Sequence, residues 1–184
     1  MERSVVFAGF GGQGLLFAGQ VLARAAIKDG LETFWIPSYG PEMRGGTASC
    51  TVIVADGPIG SPVVDRFDAA VVMNLPSLLK FAPQVASGGL IVMNTSLLGP
   101  ERSGRADVQE MHLRCTDLAS KGGDDSLVSV AALGALVSRL AWVTPDSVRA
   151  ALREMASRKR PEVVEADLGV FAAGFEAGAE GVAA

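Results

Sequence analysis

A short apolar run, Ser4–Ala8, leads into Gly9-Phe10-Gly11-Gly12-Gln13-Gly14, and that turn leads into a segment with helical spacing, Leu15–Lys28. The helical stripe is Leu15, Leu16, Ala18, Val21, Leu22, Ala25 and Ala26, with Gly30 as its stop signal. A strand that enters a helix through a glycine turn is the opening of a βαβ unit. The chain is therefore committed to a sheet that carries helices.

The alternation continues. Leu31–Ile36 reads as a second strand stopped by Pro37, and a polar, glycine-rich loop runs from Ser38 to Gly46. Thr47–Ala55 is β-branched and alternating, so it reads as a third strand, closed by the Asp56-Gly57-Pro58 turn. Ala69–Met73 and Leu90–Met93 read as buried strands on either side of a short helix, Pro76–Val85, with proline at its first position. Asn94-Thr95-Ser96 ends the second of these strands, Gly99–Arg105 is a polar loop, and Gln109–Cys115 reads as an edge strand. The last third is helical. Ser126–Leu140 is apolar nearly all round, so it is either central in the core or covered by another chain. Thr144 and Pro145 have the character of an N-cap and a first helical residue. A closing helix is expected over Glu162–Gly174, with a frayed Gly/Ala-rich tail. The expected fold is a single α/β domain over 1–184: a mostly parallel, Rossmann-like sheet core over 1–115 with helices on both faces, and C-terminal helices over 126–176.

Composition narrows the function. The 184 residues carry a net charge of -4, which is not the basic footprint of a nucleic-acid binder. The Arg158-Lys159-Arg160 cluster fits a solvated helix C-terminus. No apolar stretch has transmembrane length, and Met1–Gly9 lacks the parts of a signal peptide, so a cytoplasmic protein is expected. The two cysteines, Cys50 and Cys115, are too few for a four-cysteine cluster and read as buried thiols. His112 alternates with apolar neighbours and reads as a strand-face residue rather than a base. Asp124-Asp125 reads as a helix cap rather than a metal site.

Two segments can carry chemistry. Residues 9–14 fit G-x-G-x-x-G between a strand and a helix, the setting of a dinucleotide site. Such a site needs an acidic residue at the end of the second strand, and none stands there: Glu32 is at the wrong end and Glu42 is in the following loop. The alternative is that the glycines only let the first helix pack closely. The second segment is Ser38-Tyr39-Gly40-Pro41-Glu42-Met43-Arg44-Gly45-Gly46. Arg44 can fork onto a carboxylate or phosphate, Glu42 can hold it, and Tyr39 offers a flat face and a hydroxyl. An Arg–Glu pair that merely stiffens the loop is the competing reading.

Together, Gly-Phe-Gly-Gly-Gln-Gly at 9–14 and Ser-Tyr-Gly-Pro-Glu-Met-Arg-Gly-Gly at 38–46 resemble the gamma subunits of 2-oxoacid:ferredoxin or flavodoxin oxidoreductases. The likeness extends through Ala131–Leu136 and Arg160–Gly174, where Ser129 and Asp167 stand at positions often held by Asn. The resemblance implies a part in CoA-dependent oxidative decarboxylation of a 2-oxoacid, giving acyl-CoA, CO2 and reduced ferredoxin. Thiamine diphosphate, Mg2+, [4Fe-4S] clusters and coenzyme A would then be held in or with partner subunits, and this chain alone would bind no cofactor and be inactive. The implied partners are alpha and beta subunits, with or without a delta subunit, and ferredoxin through the complex. No nucleic acid or membrane is expected, and a homodimer is one possible state of the isolated chain. Gly11, Gly12, Gln13, Gly14, Ser38, Tyr39, Glu42, Arg44, Gly45 and Gly46 are the expected ligand- or partner-binding residues, with no catalytic or metal-binding residue. The alternatives are a stand-alone NAD or flavin protein, a purely structural module, and an indolepyruvate oxidoreductase subunit. Tyr39-Gly40 in place of His-Gly speaks against the last.

Overall fold

The computed structural model describes residues 1–39, 47–156 and 160–181. Among them, β1 (Glu2–Phe10), β2 (Glu32–Tyr39), β3 (Thr47–Ala55), β4 (Phe67–Val72), β5 (Val85–Asn94) and β6 (Gln109–Leu113) form one sheet in the order β2-β3-β1-β4-β5-β6. β3 is antiparallel to both of its neighbours, while β1, β4, β5 and β6 pair in parallel. Only β3 runs against the rest, so the sheet is mostly parallel, as expected. The order departs from a Rossmann sheet, because β3 lies between β1 and β2.

The helices are α1 (Leu15–Lys28), α2 (Leu75–Phe81), α3 (Thr95–Leu98), α4 (Cys115–Lys121), α5 (Val128–Leu140), α6 (Pro145–Met155) and α7 (Pro161–Glu180). They load the two faces of the sheet unequally. One face carries Val5, Phe7, Val52, Val71 and Val92 into a large core shared with α1, α4, α5, α6 and α7. The other carries Val6, Ala8, Ala70, Val72, Ile91 and Met93 mainly under α2, which contributes Leu78 and Phe81, with Leu98 of α3 beside them. On that second face the β2–β3 ribbon extends past α2, and Phe34 is 46% exposed.

α5 is central rather than waiting for another chain: Val128 to Val137 are all buried, and α7 lies against it. The crossing is close because glycines line it. A methyl on Gly134 would stand 2.6 Å from the Phe175 nitrogen, and one on Gly174 would stand 2.7 Å from the Ala131 carbonyl carbon. One on Gly178 would stand 2.6 Å from Ala135 Cα. Backbone meets backbone along this seam.

Four local expectations change. Pro37 does not stop β2, which runs on to Tyr39. β2 pairs on one side only, and an edge strand tolerates a residue without an N–H. Cys115 starts α4 rather than ending a strand, since Arg114 leaves the extended conformation. Pro76 is the second residue of α2, after Leu75, with Asn74 as the cap. The C-terminal tail does not fray at Gly174: α7 continues to Glu180, held by Gly174 and Gly178 against α5.

Candidate functional site at the carboxyl edge of the sheet

The glycine segment leaves β1 at its carboxyl end. Gly12 and Gly14 have φ of 98° and 73°, a region open to glycine and costly for residues with a Cβ. Gly14 is also the point where α5 approaches: a methyl there would stand 2.8 Å from both the Ser126 carbonyl and Ser129 Oγ. Position 14 is thus fixed twice, by backbone conformation and by packing. Gln13 turns inward, its Oε1 accepting the Phe10 N–H at 2.7 Å. That carbonyl closes the turn and is not offered to a ligand. Gly11 is half-buried and Gly12 exposed.

The strand ends that flank the second segment are brought alongside by sheet register. Tyr39 pairs with Ala48, and Ala48 pairs with Gly9, while Thr47 pairs with Phe10. The two segments therefore share β3 as a common stem, at the carboxyl ends of the parallel strands. Ser38 is exposed there, opposite Ser49. Glu42, Arg44, Gly45 and Gly46 lie outside the described residues, as do Arg158 and Lys159, and Tyr39 enters only as the last residue of β2.

Sequence reasoning missed a neighbouring recess of about 110 Å3 between β3 and α2, lined by Ser38, Thr47, Ser49, Ser77, Lys80 and Phe81 among others. The alternation of Thr47, Ser49 and Thr51 was its one local signal, a polar strand face with no obvious cover.

The dinucleotide reading loses its geometry. Its ribose-holding strand should lie beside β1, but β3 occupies that place. Glu32 stands at the far end of β2, opposite Ala55.

Other titratable groups have structural roles. Burial pushes the thiols of Cys50 and Cys115 up to about 12, so both stay protonated at neutral pH. His112 lies on the sheet face with Nδ1 2.9 Å from Arg102 Nη1 and Nε2 2.9 Å from Glu110 Oε2. Arginine only donates, so Nδ1 accepts and Nε2 carries the proton. Burial tends to raise the Glu110 carboxyl, but hydrogen bonds from Ser103 and His112 outweigh it and hold it low. Asp124 caps the turn at Ser126, accepting its N–H at 2.8 Å. No group of three or more His, Cys, Asp or Glu among the described residues is arranged to hold a metal ion. No described helix is long and apolar enough to cross a membrane.

Fold and site define a class: an α/β domain whose glycine turn and the strand ends Tyr39 and Thr47 meet at the carboxyl edge of its sheet, and whose only thiols lie inside. The pyruvate ferredoxin/flavodoxin oxidoreductase profile matches residues 4–177, and the chain belongs to that family. It is 38% identical over 176 residues to ketoisovalerate oxidoreductase subunit VorA of Methanothermobacter thermautotrophicus, covering 95% of this chain but 36% of that protein. It is 30% identical over 182 residues to 2-oxoglutarate synthase subunit KorC of Methanocaldococcus jannaschii, covering 98% of this chain and 96% of that one. The chain thus spans about a third of the first relative and nearly all of the second. The keto/oxoacid ferredoxin oxidoreductase gamma subunit from Geobacter sulfurreducens superposes with a TM-score of 0.83 at 28% identity, over 98% of both chains. The 2-oxoglutarate:ferredoxin oxidoreductase from Magnetococcus marinus, solved with 2-oxoglutarate, coenzyme A and succinyl-CoA bound, shares the fold. Its TM-score is 0.87 at 22% identity, over 97% of this chain and 31% of that one.

Proposed function

We propose that this chain, a single domain over 1–184, is the gamma subunit of a cytoplasmic 2-oxoacid:ferredoxin oxidoreductase. The complex oxidatively decarboxylates a 2-oxoacid with coenzyme A, yielding acyl-CoA, CO2 and reduced ferredoxin. Alpha and beta subunits, with or without delta, carry thiamine diphosphate, Mg2+ and the [4Fe-4S] clusters. The two cysteines of this chain are too few for such a cluster and are both buried. The observation that carries the reading is the pairing of β3 with β1 and β2, which sets the 9–14 turn beside Tyr39 and Thr47, the two strand ends that flank the second segment, where open α/β sheets bind ligands. In this role Gly11 and Gly12 leave room for close approach, Gln13 and Gly14 hold the turn, and Ser38, Tyr39, Glu42, Arg44, Gly45 and Gly46 meet coenzyme A or the partner surface.

Purification of the tagged chain from its host without oxygen should bring alpha and beta chains with broad absorbance near about 400 nm. A lone colourless chain would overturn the assignment. In the complex, Arg44→Ala should raise the KM for coenzyme A or loosen assembly; unchanged kinetics and assembly would remove the loop from the site.

A further inference from the structure

The recess between β3 and α2 has two chemically matched walls. The sheet wall bears three hydroxyl side chains on one face: Thr47 and Ser49 are two apart on β3, and Ser38 is the cross-strand partner of Ser49. The helix wall bears Ser77 and Lys80, three apart and so neighbours on the surface of α2. Ser77 is buried and its N–H is taken by Asn74 Oδ1 at 2.9 Å, which fixes that wall. Phe81 lines the recess, and the Lys80 ammonium stands 4.9 Å from its ring. Among the described residues, none that lines the recess is acidic. The basic groups nearest the α1–α6 contact, Arg24 and Lys28, both pair with Glu154, whereas Lys80 has no carboxylate of a described residue within ion-pair distance.

Such a set donates hydrogen bonds and charge, with no competing anion among the described lining residues. We infer that the recess is an anion subsite for a phosphoryl group, with Lys80 supplying the charge and Ser38, Thr47 and Ser49 the neutral donors. A phosphomonoester offers about two negative charges and three acceptor oxygens, which suits one ammonium and several hydroxyls better than a carboxylate does. The volume of about 110 Å3 is several times the roughly 10–15 Å3 that one water needs, which leaves room for a phosphoryl group. The subsite lies next to the stem shared by the two loops. On the proposed reading of that edge, on which this source rests, its occupant is the ribose phosphate of coenzyme A; a free phosphate ion is the other source.

Two measurements test this. The full chain is acylated at its lysines in inorganic phosphate and, separately, in chloride at equal ionic strength, and each lysine is followed by mass spectrometry. Lys80 should be modified several-fold more slowly in phosphate, while exposed Lys121 is unaffected. Equal rates at Lys80 in the two salts would overturn the subsite. In the assembled complex, Lys80→Met should raise the KM for coenzyme A about tenfold more than the KM for dephospho-coenzyme A, the loss of one charge-assisted hydrogen bond. Protection of Lys80 with no such difference would keep the anion subsite, assign it to free phosphate, and remove coenzyme A from this edge.

Discussion

The two faces of the sheet are built on opposite principles. The helix-rich face is closed by contact at the limit of approach, with Gly134, Gly174 and Gly178 letting α5 and α7 touch backbone to backbone. The other face is half covered: α2 shields β4 and β5, while Phe34 and Ile36 on β2 extend beyond it. The first face spends its sequence on stability, and the second leaves side chains free to meet something outside the fold. Changes on the two faces should therefore be felt in different assays.

The largest effect belongs to the glycine seam. Gly174→Ala should cost about 3 kcal/mol in denaturant unfolding, because the new methyl meets the Ala131 backbone and neither helix can give way. Gly169→Ala, in the same helix but facing open space, should instead stabilise by about 0.5–1 kcal/mol. If both changes act alike, the seam is not what holds α7.

Next comes the clamp between α1 and α6. Asp29 accepts hydrogen bonds from the Thr144 N–H at 2.6 Å and from Thr144 Oγ1 at 2.9 Å, and also from Ser147 Oγ. Burial tends to raise its carboxyl, but these bonds prevail and hold it below the ordinary value. Removing the side chain in Asp29→Ala should cost about 1.5 kcal/mol at neutral pH. A carboxyl lowered by folding stabilises above its unfolded value, near 3.9, and loses that contribution as pH falls through its folded value. The gap between wild type and variant should therefore close below about pH 4, which stability curves on both proteins would reveal.

A smaller gain is expected at Ala141, which ends α5 with φ of 47°. Ala141→Gly should raise stability by about 1 kcal/mol, since glycine meets no Cβ penalty there. A loss would mean that the alanine methyl packs usefully. The smallest effect on the isolated chain should come from the open face. Phe34→Ser should change unfolding by less than about 0.5 kcal/mol while weakening recovery of the alpha and beta chains of the proposed complex. A large loss of intrinsic stability would make that face part of the core.

What could be read from the sequence was local. The span of α1, the span of β3 and the Thr144 cap of α6 follow from spacing and residue chemistry over a few positions, and all three stand as expected. What failed depended on distant partners. β2 tolerates Pro37 only because nothing pairs on its outer side, and α7 outlasts Gly174 only because α5 is there to receive it. The glycine turn was visible in the sequence. That its neighbour in space is the exit of the 38–46 loop was not, because the link is the insertion of β3 between β1 and β2. The recess was harder still, since it needs Ser49 and Lys80 from elements joined by a long excursion across the sheet.

Pro37 has one more consequence. A strand at a sheet margin is a template, and strands of other copies can add to it and grow into fibrils. A proline on β2, at the margin of the described sheet, denies an incoming strand one rung of the ladder, so the fold carries its own guard against polymerisation.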